Sequence, residues 1–263
     1  MDDEPFHRGD LSKPPAGEVV SRRPTLVPAL IVVAIIAGTT PAAAQRGGAA
    51  APPRAARESA PIDLTGYWVS FVTEDWRFRM MTPPKGDYAR VPLTPEGRKV
   101  ANGWNPAADQ AAGNQCKAFG AAAIMRVPGR FHVTWQDDAT LRIDSDAGTQ
   151  TRVLRFAPSA PERERTWQGQ SAARWDTATK SLNVVTTNMR AGYLRWNGVP
   201  YSENATLTEH FDLAPYPDGA PLLVITTIVE DPQYLQRSFV VTSHFKKERD
   251  GSKWSPTPCT STW

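Results

Sequence analysis

Hydrophobic and polar residues alternate along most of the chain from Leu64 onward, with turn-forming residues between the alternating runs. Alternation with a period of two is typical of β-strands that bury one face. The pattern predicts nine strands, at residues 66–73, 130–136, 140–144, 150–156, 167–175, 181–189, 206–213, 222–230 and 237–246. Because strands joined by short turns usually pair with each other, we expect an all-β fold with a single closed antiparallel barrel.

A short helical insertion interrupts this alternation after the first strand. Thr94 is suited to cap a helix, Pro95 to occupy its first position and Glu96 to lie in its first turn. A second helical turn is predicted after Asn105, where proline and several alanines follow. We therefore predict that residues 83–125 form an insertion between the first and second strands.

An apolar run near the N-terminus predicts a signal peptide. Arg22-Arg23 precede residues 26–38, a run of 13 residues, whereas a membrane-spanning helix needs about 20. Small residues before Gln45 suit cleavage after Ala44. The sequence thus predicts a signal peptide over residues 1–44 and a periplasmic or extracellular mature protein. The arginine pair also partly fits the twin-arginine export pattern, so both export routes stay open.

The region after the signal peptide divides into a tether and a domain. Residues 45–61 are rich in Ala, Pro, Gly and Arg and show no apolar period, which predicts a disordered tether. Residues 62–263 are long enough for one barrel domain. Within them, Cys116 and Cys259 form an isolated pair, and a disulfide is the expected state in an exported protein. Two free buried thiols are the alternative.

The composition after Ala44 argues against several classes of partner. The 26 Lys and Arg residues only slightly outnumber the 22 Asp and Glu residues, and they are dispersed, so we predict no nucleic-acid partner. No second long apolar run is present, so we predict no membrane span in the mature protein. The histidines are scattered, and the sequence has no phosphate loop and no zinc-helix motif, so we predict no metal and no cofactor.

Two resemblances add to this interpretation. Gly66-x-Trp68 resembles the opening of lipocalin-like proteins, in which a Trp closes one end of the barrel, although a core Trp after a flexible Gly gives the same pattern. The chain also resembles a group of uncharacterised exported bacterial proteins, and this resemblance implies no activity. It lies in residues 65–69, 114–117, 146–152, 192–195 with 197–202, and 229–235.

Charged residues in register with apolar ones are candidates for a site inside the barrel. Glu74 shares the predicted inward face of the first strand, and Arg152 and Glu209 share those of two later strands. We predict that these three side chains converge in one cavity. A structural ion pair, or an outward orientation, is the alternative. The predicted walls are aromatic: Trp68, Trp76, Trp135 and Trp175, with Tyr193 and Tyr201 from a loop. That loop fits a lid over the barrel mouth and an ordered surface loop equally well.

Three functions fit this pattern. The favoured one is a secreted lipocalin-like barrel that binds a small apolar or aromatic molecule in a Trp-lined cavity. The second is a cofactor-free lyase, hydratase or isomerase in which Glu209 or Glu74 acts as general acid/base and Arg152 stabilises developing negative charge. The third is a structural or partner-binding envelope protein, which a barrel filled by its own side chains would favour.

Overall fold

Nine strands close into a barrel in the computed structural model, which describes residues 55–160, 162–217 and 219–262. The strands of the described residues are β1 (Gly66–Ser70), β2 (Arg130–Asp137), β3 (Thr140–Ser145), β4 (Ala147–Gly148), β5 (Gln150–Arg155), β6 (Gln170–Asp176), β7 (Ser181–Thr187), β8 (Gly192–Arg195), β9 (Val199–Tyr201), β10 (Thr206–Ala214), β11 (Leu222–Glu230), β12 (Phe239–Glu248) and β13 (Thr257–Pro258). The barrel order is β1-β12-β11-β10-β7-β6-β5-β3-β2. The predicted all-β barrel is therefore confirmed.

One strand pair shows that the prediction of a fully antiparallel barrel is wrong. β5 and β6 pair in parallel, with Leu154 opposite Ser171 and Arg155 opposite Ala172. Strand direction alternates around an antiparallel ring, so a ring with an odd number of strands needs a parallel pair to close. A parallel pair requires a long connection that returns the chain to the same end. Residues 156–160 and 162–169 belong to that connection.

The insertion between β1 and β2 contains the helices α1 (Trp76–Arg79), α2 (Pro95–Asn102), α3 (Pro106–Ala111) and α4 (Ala121–Ile124), with a 3₁₀ turn at Lys117–Phe119. The Thr94 side chain accepts a hydrogen bond from the Gly97 N–H at 3.0 Å, and Asn105 caps α3 in the same way. The helical insertion is thus confirmed. It is longer than predicted, because β1 ends at Ser70.

A disulfide joins this insertion to the C-terminal segment. Cys116 and Cys259 are bonded, with their Cα atoms 5.0 Å apart, as the sequence predicted. Next to the bond, β13 pairs in parallel with β4. The chain after the last barrel strand is therefore held against both the insertion and the barrel.

The N-terminal predictions are only partly covered by the structure. The predicted signal peptide and residues 45–54 of the predicted tether lie outside the described residues. Residues 55–61 contact the barrel, because Trp175 Nε1 donates to the Ala56 carbonyl at 2.8 Å and the Arg57 N–H donates to Asp138 at 3.0 Å. Two hydrogen bonds thus join this part of the predicted tether to the barrel. None of the helices in the described residues is long and apolar enough to cross a membrane.

Side chains fill the barrel interior. Its apolar cluster includes Phe131, Leu154, Leu182, Phe211 and Phe245, all buried. A void of about 10 Å³ lies within this cluster, lined by Leu64, Met125, Phe131, Val133, Leu141, Ile143, Phe211, Leu223 and Ile225. Such a volume is at the lower limit for one water molecule. A second apolar cluster packs the insertion and the β8–β9 hairpin onto the barrel.

Candidate functional site

Arg152 and Glu209 form an ion pair inside the barrel, on β5 and β10. Arg152 Nη1 donates to Glu209 Oε1 at 3.0 Å, and Nη2 donates to Oε2 at 2.6 Å. Both side chains are buried, which confirms the predicted inward orientation. Because both carboxylate oxygens are bound by Arg152, the geometry favours a structural ion pair over a free general base.

Small polar residues surround this ion pair. Arg152 Nη2 also donates to the Thr186 hydroxyl at 3.3 Å, and Thr186 is hydrogen-bonded to Ser171 at 2.7 Å. Thr227 lies opposite Glu209 on the neighbouring strand, and its buried hydroxyl has no hydrogen-bond partner in the described part of the chain. The barrel therefore contains a buried polar layer between apolar side chains.

Glu74 and Trp76 do not lie in this interior, so their predicted positions are wrong. β1 ends at Ser70, and the alternation assumed for residues 71–78 is not strand. Glu74 lies in the insertion, where it contacts Arg79 and lies 2.8 Å from His244 Nδ1. Trp76 is in α1, and 64% of its surface is exposed. The predicted trio is thus divided between two places.

The remaining predicted tryptophans do not line one cavity either. Trp68 is fully buried and donates from Nε1 to the Leu64 carbonyl at 2.8 Å. Trp135 and Trp175 are partly buried, pack against Phe156 and have ring centroids 6.5 Å apart. These rings belong to the apolar packing of the barrel, so the predicted Trp-lined cavity is not formed.

Tyr193 and Tyr201 lie on the β8–β9 hairpin, which packs against the insertion instead of forming a loop over an open mouth. Burial raises the pKa of Tyr193, and its hydrogen bond to Asp109 Oδ2 at 2.7 Å adds to the shift. Tyr201 is fully buried, and burial raises the pKa of its phenol as well. Its hydroxyl has no hydrogen-bond partner among the described residues.

Three buried arginines form a cluster that was not predicted from the sequence, and we call it the arginine cluster. Arg79 ends α1, Arg126 follows α4 and Arg195 ends β8, and their exposed fractions are 1%, 5% and 2%. They come from three distant segments, so no periodic pattern links them. The available signal was the density of charged residues at 74–90, where three arginines and a lysine occur together with three acidic residues.

Only part of the donor capacity of the arginine cluster is used. Arg79 donates from Nε to the Arg126 carbonyl at 2.9 Å and from Nη1 to Glu74, whereas Arg126 donates to Asp75 at 3.4 Å. Arg195 donates from Nη1 to the Ala89 carbonyl at 2.7 Å. Within the described residues, Arg79 Nη2 and both Nε and Nη2 of Arg195 are buried without an acceptor. Each such donor is costly to leave unpaired.

Positive charge exceeds negative charge around the arginine cluster. Ion pairs connect Arg79, Arg126 and the nearby Arg77 and Arg90 with three carboxylates, those of Glu74, Asp75 and Asp87. Burial lowers the pKa of Arg79 to about 10, although the Glu74 carboxylate opposes the shift. Burial also lowers the pKa of Arg195 to about 10, and the charge of Arg126 adds to that shift. An additional negative charge would stabilise these cations.

Residues 74–90, the cover segment, lie over the arginine cluster. Phe78 packs on the Arg195 guanidinium, whose carbon is 4.0 Å from the ring centroid. Asn197 of the hairpin donates to the carbonyls of Pro84 and Asp87 at 3.1 and 2.9 Å, which fixes the far end of the segment. Beneath Phe78, a void of about 10 Å³ lies beside Arg126 and Arg195.

The outer surface of the cover segment includes three large apolar side chains. Trp76, Met80 and Met81 are 64%, 50% and 54% exposed, and they lie within six residues of one another. Arg77 is also exposed and pairs with Asp87. The segment thus exposes large apolar side chains next to the buried Arg79 in sequence.

A larger groove of about 720 Å³ lies elsewhere, between residues 155–160 and 162–165 and the strands β6 and β7. Its arginines already have carboxylate partners, since Arg155 lies 3.2 Å from Glu162 and Arg165 lies 3.3 Å from Glu203. None of its described lining residues has a buried donor without an acceptor. The groove is therefore the weaker candidate. No group of His, Cys, Asp and Glu in the described residues is arranged to hold a metal ion.

Comparison with known proteins adds no relative. No protein-family model matches the chain, and neither a curated protein nor a solved structure matches it. The resemblance to exported bacterial proteins stays a prediction.

Proposed function

We propose that this protein binds a small molecule with one anionic group and an apolar or aromatic body, at the arginine cluster beneath the cover segment. The observation that carries the proposal is the set of buried guanidinium donors of Arg79 and Arg195 without acceptors. A bound anion would accept from these donors and offset the repulsion among the arginines.

The apolar part of the ligand follows from the neighbouring residues. Phe78, Leu194 and Trp196 line the void beside Arg195, and Trp76 and Met80 of the cover segment are exposed nearby in sequence. This retains the predicted ligand class but moves its site from the barrel interior to the insertion. Because the present void holds about one water molecule, ligand entry requires Phe78 and the cover segment to move outward.

The barrel supplies a rigid support for this site in the proposal. The lipocalin-like character and the export of the mature protein belong to the same proposal. The disulfide between Cys116 and Cys259 supports export, because such bonds persist in oxidising compartments. The ligand would then be captured outside the cytoplasm.

A structural or partner-binding envelope protein is the second candidate. The observation in its favour is the filled barrel interior, whose void of about 10 Å³ admits no small molecule. This candidate predicts that no small amphiphile binds at the arginine cluster. The acid/base enzyme is not proposed, since Arg152 binds both oxygens of Glu209.

Isothermal titration calorimetry with four eight-carbon probes tests the proposal: octanoate, octyl sulfate, octyl phosphate and the neutral octanol. We expect at least one anion to bind and octanol not to bind. Arg79→Gln should weaken anion binding, whereas Arg174→Gln, a change at an exposed arginine on β6, should not. Circular dichroism verifies that each variant is folded. Binding of octanol as tightly as the anions, or of no probe at all, would overturn the proposal.

A further inference from the structure

We infer that the anionic group of the ligand is a carboxylate, held side-on by the Nε–Nη2 edge of Arg195. This inference rests on the proposed function and names its ligand class. It concerns the one member of the arginine cluster that has no carboxylate partner within the described part of the chain.

The free edge of Arg195 has the geometry that a carboxylate needs. Nη1 is occupied by the Ala89 carbonyl at 2.7 Å, which leaves Nε and Nη2. In a planar guanidinium these two nitrogens direct parallel N–H groups to the same side, at a spacing that matches the two oxygens of a carboxylate. The side chain is 2% exposed, so water competes little for this edge.

The orientation of this edge is fixed before any ligand binds. The Ala89 hydrogen bond holds one end of the guanidinium, and the Phe78 ring stacks on its face with a distance of 4.0 Å. Ala89 and Phe78 both belong to the cover segment, so the segment that must open also positions the binding group. A planar anion bound in the plane of the guanidinium leaves its face free, so Phe78 can stack on it again after the segment closes.

The neighbouring arginines indicate the kind of partner that Arg195 lacks. Arg79 pairs with Glu74 and Arg126 pairs with Asp75, each with one carboxylate. A single carboxylate on Arg195 would give the third arginine the same kind of partner.

The chain itself contains the proposed interaction elsewhere. On β3, Arg142 donates from Nε to Asp144 Oδ2 at 2.7 Å and from Nη2 to Oδ1 at 2.8 Å. This is the side-on pairing that we assign to Arg195 and the ligand. The apolar lining by Phe78, Leu194 and Trp196 then makes the ligand a monocarboxylic acid with an aliphatic or aromatic body.

The test compares anionic head groups on the same eight-carbon chain and then removes the parallel N–H donors of Arg195 by substitution. We expect octanoate to bind more tightly than octyl sulfate or octyl phosphate. Arg195→Lys keeps the charge but removes the parallel donors, so octanoate affinity should fall about tenfold or more, and by a larger factor than octyl sulfate affinity. Arg174→Lys is the matched control and should leave octanoate binding unchanged.

A second measurement does not depend on the folding of any variant. Octanoate labelled with ¹³C at its carboxyl carbon is titrated with acid in the presence of the wild-type protein, and the ¹³C NMR chemical shift of the carboxyl carbon reports its ionisation. The bound carboxylate should stay ionised at pH values where free octanoate is protonated, because Arg195 stabilises its charge. Tighter binding of octyl sulfate or octyl phosphate, or equal titration of bound and free octanoate, overturns the carboxylate assignment and leaves the proposed function standing. If none of the four probes binds, both fail.

Discussion

At the residue scale, Arg152 and Glu209 show how this barrel accommodates charge in its interior. The two side chains bind each other through two hydrogen bonds and Thr186 provides a further acceptor, whereas Arg152 Nε has no acceptor among the described residues. An isolated charge would be strongly disfavoured at the same depth. Each buried charge is therefore offset by the other, so neither side chain is stable at this depth without its partner.

Removing one partner of this pair should destabilise the fold more than removing both. Arg152→Met leaves the buried Glu209 carboxylate unpaired, and we expect the free energy of unfolding to fall by about 3–5 kcal/mol. The double change Arg152→Met with Glu209→Leu should recover most of that loss, because no buried charge remains. Urea unfolding of the three proteins measures both values. A double variant that is less stable than Arg152→Met would contradict this account of the pair.

Tyr193 should make stability depend on pH in the alkaline range. Burial raises the pKa of its phenol in the folded state, with the Asp109 hydrogen bond adding to the shift, whereas in the unfolded chain it ionises near pH 10. Above that pH the unfolded state releases the proton first, so the contribution of Tyr193 is complete below pH 10 and declines as the pH rises further.

Comparison with Tyr193→Phe isolates this effect from other alkaline titrations. The difference in unfolding free energy between wild type and Tyr193→Phe should stay constant up to about pH 9 and fall above pH 10. Urea unfolding at a series of pH values measures it. A difference that stays constant, or grows, across the whole alkaline range would show that the phenol is not buried as described.

At the element scale, the insertion is stabilised by helix N-caps that can be recognised in the sequence. Thr94 caps α2 by accepting from the Gly97 N–H, and its hydroxyl also donates to the Gln233 carbonyl at 3.0 Å. That second bond ties α2 to the segment between β11 and β12. The cap therefore joins the insertion to the barrel as well as starting a helix.

The Thr94 hydroxyl should account for about 1 kcal/mol of stability, the usual contribution of an N-cap. We expect Thr94→Ala to lower the free energy of unfolding by roughly that amount, and Thr94→Ser, which keeps the hydroxyl, to retain most of it. Chemical denaturation followed by circular dichroism provides the comparison. Equal loss in both variants would mean that the methyl group, and not the cap, matters.

The strands were predictable because each has its own period-two pattern, and all nine barrel strands were identified. The sequence prediction failed where a strand stops without a change in composition. Beyond Ser70 the chain turns, and Asp75 adopts a left-handed backbone with φ of 48° before α1 begins. Because the strand ends there, Glu74 and Trp76 lie in the insertion and not on the predicted barrel face. A period-two pattern indicates that a strand is present, but it does not show the residue at which tertiary packing ends that strand.

The arginine cluster was not predictable for a different physical reason. Arg79, Arg126 and Arg195 are far apart in sequence, and each alone has the appearance of a solvent-exposed charge. They meet because the insertion folds back onto the hairpin, a long-range contact that no local spacing encodes. By contrast, Arg152 and Glu209 were identified because each lies in register with apolar neighbours on its own strand.

At the scale of the whole molecule, the disulfide closes most of the described chain into one loop. Cys116 and Cys259 are 143 residues apart in sequence, so the bond restricts the unfolded state strongly. The chain-entropy model assigns such a loop about 4–5 kcal/mol.

Cys259→Ser should lower the unfolding free energy by up to this amount, and Cys116→Ser should have a similar effect. Denaturant unfolding of both variants tests it, and thiol labelling of denatured, unreduced wild type should detect no free thiol.

The central claim is that the ligand binds at the arginine cluster and not inside the barrel. Hydrogen–deuterium exchange, read by mass spectrometry with and without the tightest-binding of the four eight-carbon probes, tests this directly. We predict slower exchange in the cover segment, residues 74–90, and in the β8–β9 hairpin, with little change in β5 and β10. Protection confined to the barrel strands around Arg152 and Glu209, with none in the cover segment, would contradict the claim.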